Sequence, residues 1–352
     1  MIYMSKPTWI DQTLNEAVRL QYTGGQLDEL AGMLSALGIE QAALCLNDWH
    51  RYYPDLSHLQ KKLDLCGVMN LASCELALAE QAGVRQVRVV YCVSSQAEFN
   101  VKLNTVMSEA DRRGLQISLR LEGLASLSGS ELAAIVSVIS GYPLSSVIYG
   151  DQAGSGNPFT TFEQINALKK SLNCLIGIQA GNAYGLATAN TLAAMKAGVT
   201  QIATSIAGVG ALAPWEEALM AAKQLAGIAV EIPMNLADGC RQVLAAMNMS
   251  VPQTKAIIGS AIFAHESGLH VDGVNKDPGL YEPFAPELVG LSRQFIIGKH
   301  SGTAALRTKF AAWGIRLEEN ESKALLTNVR ALAVRKKAAI TDDELQRLYL
   351  SG

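Results

Sequence analysis

The sequence predicts an α/β fold: a (β/α)8 barrel of the TIM type, followed by a small, mostly helical carboxy-terminal appendage. Three observations carry this. Up to about residue 228, short apolar runs alternate with amphipathic stretches. Most of the runs are nearly continuous in apolar residues, as strands buried on both faces of a parallel sheet are. They recur at intervals of roughly 30 residues, the size of one strand–helix unit, with one shorter step after the third.

The eight expected strands are residues 8–13, 41–47, 67–73, 86–93, 116–123, 145–151, 174–180 and 201–208. Residues 26–38, 94–114 and 129–141 between them carry helical spacing. Eight such units suit a closed barrel. A doubly wound open sheet is the competing arrangement, but it calls for a glycine-rich phosphate loop after an early strand, and no GxGxxG stands there. Beyond residue 228 the pattern changes. Residues 237–249 and 251–263 are expected as helices, and a polar, glycine-rich block follows at 265–302. Residues 303–314, 321–338 and 340–350 again read as helices, the last with Thr341 as N-cap and Glu344 at the capping-box position. The expected domains are therefore 1–228 and 229–352.

Apolar residues make up 49% of the chain, enough for a large core. The net charge is −3 and no basic stripe appears, which argues against nucleic acid as a partner. No apolar run reaches the roughly 18 residues of a membrane span. The amino terminus, MIYMSKPTWIDQ, lacks the apolar centre of a signal peptide. The six cysteines are scattered without a CxxC pair and read as reduced thiols, so a cytoplasmic location is expected.

The block at 265–302 concentrates polar chemistry. His265, His270 and His300 are three of only five histidines in the chain, and Tyr281, Lys299 and Ser301 lie in the same stretch. HESGLH is a poor zinc helix, because its histidines are five residues apart with Gly268 between them, whereas the zinc motif needs a spacing of four on one helical face. Lys299 and His300, in GKHSG, suit an anion held through backbone N–H groups. A tight turn before the helix at 303, with Ser301 as its N-cap, suits the same residues.

HESGLHVDG, KDPGLYE and GKHSG, together with GLATANTLAAMKAGVTQIATSIAGVG at 185–210, resemble the homocitrate synthases, especially the type serving nitrogen fixation. The 2-isopropylmalate synthases are close relatives of these. The resemblance implies a reaction in which a divalent metal in the barrel polarises a 2-oxo acid and acetyl-CoA supplies the carbon nucleophile. It further implies that His270 and Tyr281 handle protons, with Glu122 at the end of the fifth strand, and that in the family dimer the histidine and tyrosine come from the neighbouring chain. His265, Lys299, His300, Ser301, Asp151 and Asn182 fall at positions expected to contact substrate or CoA.

Position by position, much of the barrel half departs from the family pattern. Asn15 stands where the catalytic arginine is expected and Glu16 where a metal-binding aspartate is. The histidine pair after the seventh strand corresponds to Gln179 and Gly181, and the metal-binding asparagine after the eighth to Ala207. Glycine and alanine offer no donor atom, glutamine is a weak neutral ligand, and one carboxylate does not hold a hydrated divalent ion well. Loss of a single preorganised donor to a developing oxyanion costs roughly 100- to 1,000-fold in rate.

The expectation is therefore no metal in this chain, and a subunit that is non-catalytic or depends on a partner. That partner is a second copy or a metal-competent synthase homologue, with acetyl-CoA and a 2-oxo dicarboxylic acid as the implied small molecules. Two other readings stand beside it. One is an active synthase with Mg, Mn or Zn in an altered site made of Glu16, Glu122, Asp151 and Gln179. The other is a protein that binds a carboxylic acid or CoA without chemistry.

Overall fold

The computed structural model describes residues 6–53, 57–93, 98–266 and 277–351. They form two compact units, residues 1–250 and 251–352.

In the first unit eight strands close into a parallel barrel: β1 (Thr8–Asp11), β2 (Gln41–Cys45), β3 (Asp64–Asn70), β4 (Gln86–Cys92), β5 (Gln116–Glu122), β6 (Ser146–Asp151), β7 (Leu175–Ala180) and β8 (Gln201–Thr204). β1 pairs with β8 through Trp9 opposite Ile202, which closes the ring. The expected barrel is thus the observed one.

The third strand begins three residues earlier than its apolar run predicts. Asn70 explains its end: the side-chain oxygen accepts from Ala72 N at 2.9 Å and starts a 3-10 turn over Leu71–Ser73.

Helices between the strands begin at caps the sequence supplies. Thr23 and Gln26 form a capping box before Gly24–Ala36, and Ser128 and Glu131 form another before Gly129–Ile139. Asn157 caps Pro158–Ser171, whose first residue is a proline needing no N–H partner. The helix Leu236–Ala246 belongs to this unit. Its Gly239 lies so close to the Leu37 side chain that an added Cβ would come within 2.5 Å.

Residue facing follows from register. Arg88 lies opposite Val68, Arg120 opposite Val90, Glu122 opposite Cys92 and Gln179 opposite Ala203. All point inward. The interior of such a barrel is ordinarily filled by layers of branched apolar side chains. Here two arginines interrupt those layers.

In the second unit residues 251–263 form turns, not the expected helix. Ile257 sits at φ 68°, in the left-handed region that a β-branched residue rarely adopts and that a right-handed helix does not contain. A short parallel pair, β9 (Ala264–His265) and β10 (Gln294–Phe295), frames the histidine-bearing block. The helices Thr303–Ala312, Glu319–Lys336 and Asp342–Leu350 follow near their expected places, and Thr341 and Glu344 form the expected capping box. Phe310, fully buried, meets Trp313 and Tyr349 edge-on at 5.0 and 4.9 Å and anchors this core.

Candidate functional site

The C-terminal ends of the strands open onto a cavity of about 510 Å³, lined by Gln12, Asn15, Glu16, Arg120, Gln152 and Gln179 among others. This is the end where barrels of this type carry their chemistry.

The segment that follows β1 brings Gln12, Asn15 and Glu16 to it, with Asp11 just before them at the end of the strand. Asp11 is buried and accepts from Leu14 N at 2.8 Å, holding the first turn of the helix Thr13–Arg19. Burial pushes its carboxyl up to about 6, against the lowering effect of its hydrogen bonds. Asn15 accepts from Cys45 N at 2.7 Å, so the residue standing in the arginine position ties this helix to the end of β2. The Glu16 carboxylate is taken by Arg19, at 2.9 Å to Nε and 2.5 Å to Nη2. Gln12 is buried, and its Nε2 has no hydrogen-bond partner.

Across the cavity Arg120 is the central group. Its Nη1 donates to Gln179 Oε1 at 2.8 Å, and its Nε lies 2.8 Å from Glu122 Oε1. The second contact is an ion pair by distance but not aligned as a hydrogen bond. Glu122 Oε2 accepts from Gln152 N at 2.8 Å. Desolvation lowers the guanidinium's proton affinity, the Glu122 charge opposes that, and neighbouring Arg88 adds to the lowering.

Asp151 is buried and fully used in loop construction. One oxygen accepts from Ser155 N and Oγ, the other from Gly156 N at 2.8 Å. Asn182 likewise accepts from Ala187 N at 3.1 Å, at the head of the next helix.

Gly181 marks the sharpest departure from the expected machinery. An added Cβ would lie 2.4 Å from the Asp151 carbonyl oxygen and 2.5 Å from that of Gln152. Main chain, not empty space, occupies the position where a second imidazole would begin. Ala207 sits at φ 54° in the loop after β8, with its N–H donated to Glu216 Oε2 at 2.9 Å.

These residues do not fit a divalent cation. Glu16 is paired with Arg19, Gln179 serves a guanidinium, and Gly181 and Ala207 have no side-chain donor atoms. Among the described residues no group of three or more His, Cys, Asp or Glu side chains could hold a metal ion.

In the second unit, His265 Nε2 lies 3.6 Å from Glu282 Oε1, and Arg293 clamps the same buried carboxylate at 2.6 to 3.1 Å. Tyr281 is exposed. The GKHSG loop is held from within. Glu266 Oε1 accepts from His300 N at 3.1 Å, and Ser301 Oγ accepts from Gly298 N at 2.9 Å. Ser301 is not the N-cap of the next helix; that position is Gly302, and the Ser301 hydroxyl serves the loop instead. The Lys299 and His300 side chains are exposed beside it. His270 lies outside the described residues.

Arg88 and Arg120 are the site residues that sequence reasoning missed. Their signal was an arginine in the middle of each of two mostly apolar strands, QVRVVYC and QISLRLE.

The closed barrel and its polar mouth define a TIM-barrel protein. A family model described as HMGL-like matches residues 48–241, and one described as homocitrate synthase post-HMGL domain-like matches residues 257–337. 2-Isopropylmalate synthase 2 of Caldanaerobacter subterraneus subsp. tengcongensis is 31% identical over 331 residues, covering 93% of this chain and 83% of that protein. Homocitrate synthase 1 of Nostoc sp. is 31% identical over 307 residues, covering 83% and 81%. The chain belongs to the homocitrate synthase and 2-isopropylmalate synthase family. The HMG-CoA lyase of Bacillus subtilis shares the fold at 17% identity, with a TM-score of 0.57 over 71% of this chain and 95% of that one. Among the described residues no helix is long and apolar enough to cross a membrane.

Proposed function

We propose that this chain does not condense acetyl-CoA with a 2-oxo acid by itself, and that it serves a metal-competent homologue through its carboxy-terminal unit. The observation that carries the first half is Gly181. Backbone carbonyls stand where a ligand side chain would begin, and the neighbouring ligand position, Gln179, is engaged by Arg120. The second half is supported by the family resemblance at His270 and Tyr281. The residues expected to act on another chain's barrel are present, while most of the metal-binding residues a chain uses for itself, and the arginine beside them, are replaced.

The test is metal content by elemental analysis, together with CoA release from acetyl-CoA with 2-oxoglutarate or 2-oxoisovalerate. The chain alone is expected to release CoA at background rate. Co-expressed with a complete homologue, it is expected to form a mixed complex whose rate falls at least tenfold on His270→Ala in this chain. Stoichiometric metal with turnover by the chain alone overturns the proposal. So does a mixed complex indifferent to that substitution.

A further inference from the structure

Among the described residues of the second unit, Glu282 is the one buried acid, 7% exposed. It follows directly on Tyr281, which is 41% exposed. A carboxylate that has left water is costly unless charge and hydrogen bonds replace the water. Here they come from two places in the chain. Arg293 closes on both oxygens: Nε donates to Oε1 at 2.9 Å and to Oε2 at 3.1 Å, and Nη2 donates to Oε2 at 2.6 Å. His265 Nε2, itself buried and without a hydrogen-bond partner, stands 3.6 Å from Oε1.

These two partners have a common base. His265 ends β9, Arg293 directly precedes β10, and Ile296 N donates to His265 O at 3.0 Å. The paired strands therefore carry a guanidinium and an imidazole to one carboxylate. Arg293 is braced in turn by Glu287, whose Oε1 accepts from Nη1 at 3.2 Å.

The main chain around Tyr281 is fixed on both sides. Before it, Asp277 accepts from Gly279 N at 3.1 Å through its side chain and from Leu280 N at 3.3 Å through its carbonyl, at the 3-10 turn Pro278–Leu280. After it, Arg293 holds Glu282, and Phe284 meets Phe263 edge-on at 5.3 Å. Consecutive Cα atoms are about 3.8 Å apart, so fixing the main chain at Glu282 limits where Tyr281 can stand. If filling space were the only task, apolar side chains of similar volume would do it as well or better. What a guanidinium on a carboxylate adds is direction, since the planar fork accepts its partner in few orientations.

We propose that Glu282 is a positioning residue for Tyr281: clamped by Arg293 with His265 beside it, its carboxylate sets the main chain from which the phenol projects toward the proton transfer that the family resemblance assigns to it. The inference rests on the reading that this unit serves another chain's barrel.

Two measurements on the full-length chain test it. In the first, the chain alone carries tyrosines labelled with 13C at the ring ε positions, and the Tyr281 resonance is the one lost in Tyr281→Phe. Glu282→Gln and Arg293→Lys are each expected to shift or broaden that resonance, while those of Tyr91 and Tyr149 in the barrel stay in place. In the second, the chain is in the mixed complex with a metal-competent homologue. Glu282→Gln is expected to lower kcat for CoA release roughly tenfold or more, with KM for the 2-oxo acid within about twofold, as misplacement of a reacting group does. Added to Tyr281→Phe it is expected to cost little more, because the two act as one unit. A Tyr281 resonance unmoved by both substitutions overturns the inference. So does a loss of kcat as large in the Tyr281→Phe background as in wild type. If Arg293→Lys fails to fold, Glu282→Gln decides by the same criteria. A mixed complex indifferent to His270→Ala defeats the reading of the chain's function instead, and the Tyr281 resonance then judges the positioning role by itself.

Discussion

Putting a histidine at position 181 should not restore a metal site, and the geometry says what it should cost. In Gly181→His the Cβ alone meets Asp151 O at 2.4 Å, Gln152 O at 2.5 Å and Gln152 C at 2.8 Å. These are main-chain atoms, so no rotamer change relieves them. Gly181 N also donates to Asp151 O at 2.7 Å, and the residue bridges to Leu212, so the two loops must part together. Overpacking of this kind costs about 1–3 kcal/mol, and more where backbone must move. In a domain larger than 150 residues each kcal/mol lowers Tm by roughly 2–4 °C. The variant is therefore expected to melt roughly 2–12 °C lower. Combined with Gln179→His it should lose more, because Arg120 then loses its buried acceptor. The assays are scanning calorimetry and titration with Zn, Mg and Mn. A double variant that keeps the wild-type Tm and binds one metal ion per chain would refute the reasoning.

Two further predictions concern single carboxylates. Asp11 is raised in the folded state from 3.8 to about 6, so the folded chain holds more protons than the unfolded chain between those values, and stability falls as pH rises through that window. Asp11→Asn should therefore gain on wild type by on the order of 2 kcal/mol at pH 7.5 and by little at pH 4, measured by urea unfolding; an equal difference at both pH values contradicts this. In the second unit Arg293→Ala strands the buried Glu282 carboxylate and should cost about 3 kcal/mol in urea unfolding, with Glu282→Gln in the same chain recovering part of it; a cost below about 1 kcal/mol refutes the clamp.

The barrel was legible because its strands are buried on both faces and read as apolar runs, separated by helices whose caps are written in Thr23, Ser128 and Asn157. Arg88 and Arg120 escaped notice because one arginine within an apolar run does not disturb that pattern, and only closure of the sheet shows that both point inward. The expected helix at 251–263 had apolar spacing in its favour. The backbone instead turns through the left-handed region at Ile257. At the mouth, the chain showed that Gly181 and Ala207 carry no ligand atoms. It did not show that two carbonyl oxygens had closed over Gly181, because that contact joins loops thirty residues apart. Nor did it show that Asp151, one of the acids that remain there, spends both oxygens on its own loop.

The GKHSG loop has a consequence for how such chains are recognised from their genes. Glu266 presses against Gly298, where an added Cβ would fall 2.5 Å from its carboxylate oxygen, and it also holds the His300 N–H. Ser301 meets the Gly298 N–H and, through its carbonyl, Arg330 at 2.8 Å. All of these links lie within the second unit and hold the turn without using a barrel residue. The motif's residues here serve the turn they build, so the motif in a genome reports a shape and leaves the chemistry to be read from the residues at the strand ends.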